Sequence, residues 1–172
     1  MLISFDGCAP AIDPTAYVQQ SAHIIGDVVI GAHSSIWFNV VMRGDVHPIR
    51  IGSRTNIQDN STVHVTGGLW ATVVGDAVTA GHGVILHGCR IGNRCLIGMG
   101  AIVMDGVEIG DDCLVAAGAL VTPGTRFPPG QLIKGSPAKI VRPLRPDELE
   151  QINQSAQNYV EHAARYRAQG IL

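Results

Sequence analysis

Residues 91–121, IGNRCLIGMGAIVMDGVEIGDDCLVAAGALV, carry a six-residue beat. Ile91, Ile97, Val103, Ile109, Val115 and Val121 recur every sixth position, and Gly92, Gly98 and Gly110 follow three of them. Four residues after each aliphatic comes a small or β-branched side chain: Cys95, Ala101, Val107, Cys113, Ala119. A helix needs a period near 3.6 and an ordinary strand a period near 2. A period of six means one short strand and one tight turn per repeat. Such units cannot bury an apolar face alone and must stack into a solenoid.

The beat extends outward on both sides. It reappears at Val18, Ile24, Ile30 and Ile36, at Ile51, Ile57 and Val63, and at Val74, Ala80 and Leu86. Three hexads make one coil, so Cys95 and Cys113 should stack in adjacent coils as buried, reduced thiols. Glycine at the corners is expected to supply backbone angles that a Cβ forbids. The beat breaks at 41–50 (VMRGDVHPIR) and at TGGLWA, 66–71, an expected external loop; between Leu86 and Ile91 one step is a position short. The chain reads as one domain, 1–172: coils over 10–125, an extended proline-rich exit segment over 126–145, and a helix over 146–169. Residues 1–14 should cap the first coil. Pro146 suits a first helical turn, with Asp147, Glu148 and Glu150 complementing its dipole.

Composition excludes several functions. The net charge of −2 gives no electrostatic footprint for nucleic acid or an anionic membrane. No apolar run reaches the length of a membrane span, and the first residues lack the basic and apolar segments of a signal peptide, so a cytoplasmic location is expected.

Three histidines stand out. His64 follows Val63 and His87 follows Leu86, so both hold the slot after the aliphatic position. Their separation exceeds one coil of three hexads by five positions, which the 66–71 excursion can absorb. They should therefore stack in adjacent coils. His82 belongs to a different face. Three imidazoles with one open position are the ligand set of catalytic zinc. The three cannot meet within one chain, but two solenoids side by side bring His64 and His87 of one chain to His82 of the next. Three chains then close a homotrimeric ring. Cys89, two positions beyond His87, lacks a C-x-x-C partner and is not expected to be a ligand.

The segments RGD (43–45), QDNSTVH (58–64) and GHGVILHGC (81–89) resemble the γ-class carbonic anhydrase family. The resemblance runs from residue 10 to the helix. It implies an all-β fold, a left-handed parallel β-helix with a C-terminal helix, and a trimer binding Zn2+, with Fe2+ or Co2+ as alternatives. It implies His64, His82 and His87 as metal ligands, and Gln58 as the residue that orients metal-bound solvent or bicarbonate. Arg43 and Asp59 would pair across the interface, Asp45 would support that network, and Tyr159 would approach the metal or serve only as helix core. The implied reaction is reversible hydration of carbon dioxide to bicarbonate by metal-bound hydroxide. Two departures stand against the archetype. Its glutamate after the aspartate is Val46 here, and its acidic shuttle loop corresponds to 65–75, which contains no acid. Two rival readings use the same residues: an acyltransferase or thioesterase acting on an acyl-CoA, and a non-catalytic zinc-binding assembly protein.

Overall fold

The structure, a computed structural model, describes residues 1–171. Its coils form a three-faced prism. The first face stacks Tyr17–Val18, Ser35–Ile36, Asn56–Ile57, Thr79–Ala80, Leu96–Ile97, Leu114–Val115 and Gln131–Gly135 in parallel, and Ala138–Pro143 closes it antiparallel. The second stacks Leu2–Ile3, residues 23–26 and 41–44, Thr62–His64, Ile85–His87, Ile102–Val103 and Leu120–Val121. The third stacks Ala11–Ile12, residues 28–30 and 49–51, Thr72–Val74, Arg90–Ile91, Glu108–Ile109 and Arg126–Phe127. Every hexad aliphatic from Ile24 to Val121 points into the prism, and each is at most 3% exposed. The small slots at Cys95, Ala101, Val107, Cys113 and Ala119 are buried with them. Aliphatic stacks on aliphatic and small on small, the like-on-like ladders that a sheet needs to stay flat.

Two expectations need correction at the ends. Leu2–Ile3 and Ala11–Ile12 are already rungs of the second and third faces, so the first residues build coil rather than cap it. Arg126–Phe127 and Gln131–Gly135 are rungs as well, and only after them does the chain leave the prism. Prolines conceal this continuation, because they fall at corners (Pro123, Pro128, Pro129), where no ladder hydrogen bond is lost.

The expectation for glycine holds at several corners, where Gly83, Gly100, Gly106, Gly118 and Gly124 take φ values between 66° and 69°; the glycines that directly follow the hexad aliphatics act differently. Gly92, Gly98 and Gly110 have ordinary backbone angles; what they supply is room. A Cβ on Gly98 would lie 2.4 Å from the backbone nitrogen of Ala117 in the next coil, and one on Gly92 2.7 Å from that of Asp111. The left-handed corner positions come a residue or two later. Several are filled by Asn39, Asn60, Arg94 and Asp112, whose φ values lie between 52° and 61°.

The breaks in the beat become excursions from the prism. Gly26 pairs with Gly44 and Val28 with Ile49, so residues 45–48 bulge outward where the neighbouring coil has only Asp27. Residues 66–70 form a loop closed by a Thr66–Trp70 bridge. The C-terminal helix, Pro146–Ala168, lies along the first face and buries Ile152, Ala156 and Ala163. Its start is held by Glu148, which accepts from the Arg145 backbone N–H at 2.9 Å and from both terminal nitrogens of Arg142 at 2.8 Å.

Candidate metal centre

Register brings His64 and His87 together. The two residues are direct partners in adjacent rungs of the second face, and the 66–71 excursion absorbs the additional sequence between them. His64 Nδ1 and His87 Nε2 face each other at 3.0 Å. With zinc–nitrogen bonds of about 2.05 Å, the edge of a tetrahedral site is about 3.3 Å, so the facing nitrogens are spaced almost as ligands.

Each ring is oriented from behind by a carboxylate. His64 Nε2 lies 3.2 Å from Asp45 Oδ1, and His87 Nδ1 lies 2.7 Å from Asp105 Oδ1. Arg43 pairs with the other oxygen of Asp45, and the Thr66 hydroxyl donates to Asp105 Oδ1 at 3.1 Å. The result is one continuous chain: Arg43, Asp45, His64, His87, Asp105, Thr66. A carboxylate only accepts, so three hydrogen bonds between Asp45 and Asp105 need three protons on two imidazoles. The pair therefore calls for a cation at its centre. Burial meanwhile depresses the pKa of His64, although Asp45 opposes that, so an imidazolium is disfavoured there. A divalent metal in place of the central proton satisfies both demands. Burial alone would raise Asp45, but hydrogen bonds from Arg43 and His64 outweigh it and hold the carboxyl below its usual range.

The other sequence-predicted residues gather at a different edge. His82 sits at the corner between the first and second faces, half exposed, and its Nδ1 lies 2.8 Å from Asp59 Oδ2. Gln58, 5% exposed, uses its amide NH2 on Asn56 Oδ1 at 3.0 Å, so its carbonyl oxygen remains an acceptor. Gln58, His82 and Tyr159 line one open groove of about 430 Å³, whose apolar side is made by the outward-facing Leu96, Met99 and Leu114. Tyr159 lies between the helix core and this groove. Its ring packs edge-on to Trp37 at 5.5 Å, and it also borders His82 in the groove. Burial and the charge of Asp59 push its phenol up.

From His82 to His87 the chain runs along the second face, roughly 15 Å at strand rise. Nitrogens about 3.3 Å apart are needed on one metal. Among the described residues, no group of three or more His, Cys, Asp or Glu side chains could hold a metal ion within one chain. Within the chain Arg43 pairs with Asp45 and Asp59 with His82, and the two pairs belong to different edges.

Several predicted features sit apart from both edges. Burial pushes the Cys89 thiol up to about 12, which makes it a poor ligand at neutral pH. Cys95 and Cys113 are free thiols in the prism interior, with the Cys95 thiol raised by the neighbouring Cys113 and by burial. Val46 is exposed and packs beside Gly67 of the acid-free loop. Asp105 escaped the sequence reading, although it lies one full coil beyond His87.

Comparison with known proteins agrees with the geometry. Residues 88–123 match the family model described as bacterial transferase hexapeptide (six repeats). The carbonic anhydrase of Geobacillus kaustophilus is 44% identical over 168 residues, covering 98% of this chain and 92% of that protein. The mitochondrial gamma carbonic anhydrase 1 of Arabidopsis thaliana is 48% identical over 166 residues, covering 94% of this chain; the match spans 60% of that longer protein. A crystal structure of a hexapeptide transferase family protein from Anaplasma phagocytophilum superposes with a TM-score of 0.93 at 43% identity, covering 96% of this chain and 98% of that one. Among the described residues, no helix is long and apolar enough to cross a membrane. With a relative matched over nearly its whole length and the ordered set of Arg43, Asp45, Gln58, Asp59, His64, His82 and His87 in place, the chain belongs to the γ-class carbonic anhydrase family of hexapeptide-repeat proteins.

Proposed function

We propose that the protein catalyses reversible hydration of carbon dioxide to bicarbonate at a divalent-metal site shared between subunits of a homotrimer. The observation that carries this reading is the pair His64 and His87. Their facing nitrogens are 3.0 Å apart and their outer nitrogens are anchored on Asp45 and Asp105. His82, anchored on Asp59, would complete the ligand set from the next chain. The two edges that carry these groups flank the second face, where Ile85 is exposed and Ile102 and Leu120 are partly so. An apolar stripe there suits burial against neighbouring copies around a threefold axis.

Zinc, or iron or cobalt in its place, would supply the electrophile that makes water nucleophilic at neutral pH. The chain's own residues do the rest. Asp45 and Asp59 hold the ligand rings in orientation. The free carbonyl oxygen of Gln58 accepts a hydrogen bond from the reacting water. The groove beside His82 admits a small uncharged substrate. Arg43, drawn toward Asp59 of the adjacent chain, would fix the register of the interface. Neither Val46 nor residues 65–75 can carry the released proton away.

The test is metal analysis with stopped-flow hydration on protein purified without oxygen. General acid–base groups contribute about 10²–10⁴-fold, so turnover should be weak in dilute buffer. It should rise with imidazole concentration while kcat/KM stays nearly constant. A metal-replete trimer that never hydrates carbon dioxide but hydrolyses an acyl-CoA would instead make the apolar groove an acyl site and the protein a thioesterase.

A further inference from the structure

We propose that Asp105 is a positioning residue of this metal centre: it holds His87 with Nδ1 protonated and Nε2 turned toward the metal, through a notch that Gly88 leaves open. The inference rests on His64 and His87 being metal ligands. It adds a residue from outside the motifs that carry the resemblance.

The notch begins with the shortened step between Leu86 and Ile91. Leu86 pairs with Val103 and Arg90 with Glu108, and the first pairing spans one position fewer than the second. The coil that carries His87 is therefore one residue shorter at this corner than the coil above it. Gly88 takes up the tighter turn at φ +56°. Space matters as much as angle. A Cβ on Gly88 would lie 2.1 Å from Asp105 Oδ1 and 2.8 Å from the Cβ of Trp70. Any other residue there would drive the carboxylate away from His87 and lift Trp70 from its seat.

The carboxylate that enters the notch is held from two sides. Oδ1 accepts from His87 Nδ1 at 2.7 Å and from the Thr66 hydroxyl at 3.1 Å. Thr66 also closes the loop that ends at Trp70. One oxygen thus ties the ligand ring to the loop beside it. A carboxylate behind a ligating imidazole fixes the tautomer and raises the basicity of the nitrogen that faces the metal.

The test uses full-length protein. Long-range proton–nitrogen NMR on the metal-free chain reads the tautomer of His87, and competition with a chromophoric chelator reads zinc affinity. The expected metal-free spectrum shows Nδ1–H. Asp105→Ala should scramble that tautomer and weaken zinc about 10–100-fold. Asp105→Asn keeps an acceptor oxygen and should restore the tautomer and most of the affinity. Gly88→Ala should reproduce Asp105→Ala without touching a ligand. An Nε2–H tautomer in the wild type would overturn the proposal, and that result needs no variant to fold. So would a folded Asp105→Ala with unchanged spectrum and affinity. A wild-type chain that shows the Nδ1–H spectrum yet takes up no zinc would sink the metal reading while sustaining the Asp105–His87 contact.

Discussion

The two edges of the second face carry chemistry of different kinds. At the edge shared with the third face, two imidazoles and two carboxylates form one hydrogen-bonded chain, and His64 is only 18% exposed. At the edge shared with the first face, one imidazole is 49% exposed and has one carboxylate behind it, beside an open groove. The first edge is organised by coil register, which pairs both of its imidazoles within one chain. The second is organised by a corner and by the docked helix, and its histidine points away from the coils. On the proposed reading, the pair His64–His87 and the lone His82 are complementary halves of one site.

The largest expected effect tests whether either half suffices. His82→Ala leaves His64, His87 and both of their carboxylates in place, yet it should abolish zinc retention as fully as His87→Ala. Metal analysis after gel filtration reads this directly, and near-wild-type zinc in His82→Ala would show the first edge to be self-sufficient.

The next effect separates the edges through packing. A Cβ on Gly81 would come within 2.8 Å of the backbone nitrogen of Met99. Gly81→Ala should therefore displace the backbone at His82 and cost about 1–3 kcal/mol in denaturant unfolding. His87 NMR signals should stay in place. Movement of both edges together would mean that the halves are not independent.

Removing Arg43 should act on their union. In the proposed trimer, Arg43→Ala would leave Asp45 and the Asp59 of the adjacent chain without that cation, at about 2 kcal/mol for an interfacial charge pair. Sizing across a dilution series should show dissociation at concentrations higher by about tenfold or more. An unchanged trimer would reduce Arg43 to a local partner of Asp45.

The smallest effect concerns the helix over the second edge. Hydrogen bonds from Arg142 and the Arg145 backbone lower Glu148 to about 2. A depressed carboxyl stabilises the fold above its unfolded pKa of about 4.3, and that contribution is lost as pH falls through about 2. Helix docking, followed through Trp37 fluorescence, should weaken across that window. Glu148→Gln should flatten the response while leaving His64–His87 signals unaffected.

The difference between the edges also explains what could be read in advance. The beat from Ile24 to Val121 reports inward stacking residue by residue, because each aliphatic faces its counterpart one coil away. His64 and His87 ride on that register, so their meeting was legible from their spacing and the excursion at 66–71. Corners obey weaker rules. Left-handed angles fall to glycine at Gly100, Gly106 and Gly118 but to Asn60, Arg94 and Asp112 at other corners, while Gly92, Gly98 and Gly110 make room between coils. Prolines at 128 and 129 looked like an exit and are one more corner. Asp105 was hidden for a related reason. It reaches His87 only because one turn is short and Gly88 lacks a side chain, a coincidence of two irregularities that a regular beat cannot announce. The groove at Gln58 depends on where the helix docks, which local sequence does not encode.

The central claim is that one site is built from two chains, and mixing two dead variants tests it most directly. His64→Ala lacks a ligand of the first edge, and His82→Ala lacks the ligand of the second. Each alone should hold no zinc. Denatured together in equal amounts and refolded, they should form mixed trimers in which a His82→Ala chain offers His64 and His87 to the His82 of a His64→Ala neighbour. Random assembly then restores about a quarter of the wild-type zinc, and hydration activity with it. Mixed trimers that recover no zinc would contradict a shared site.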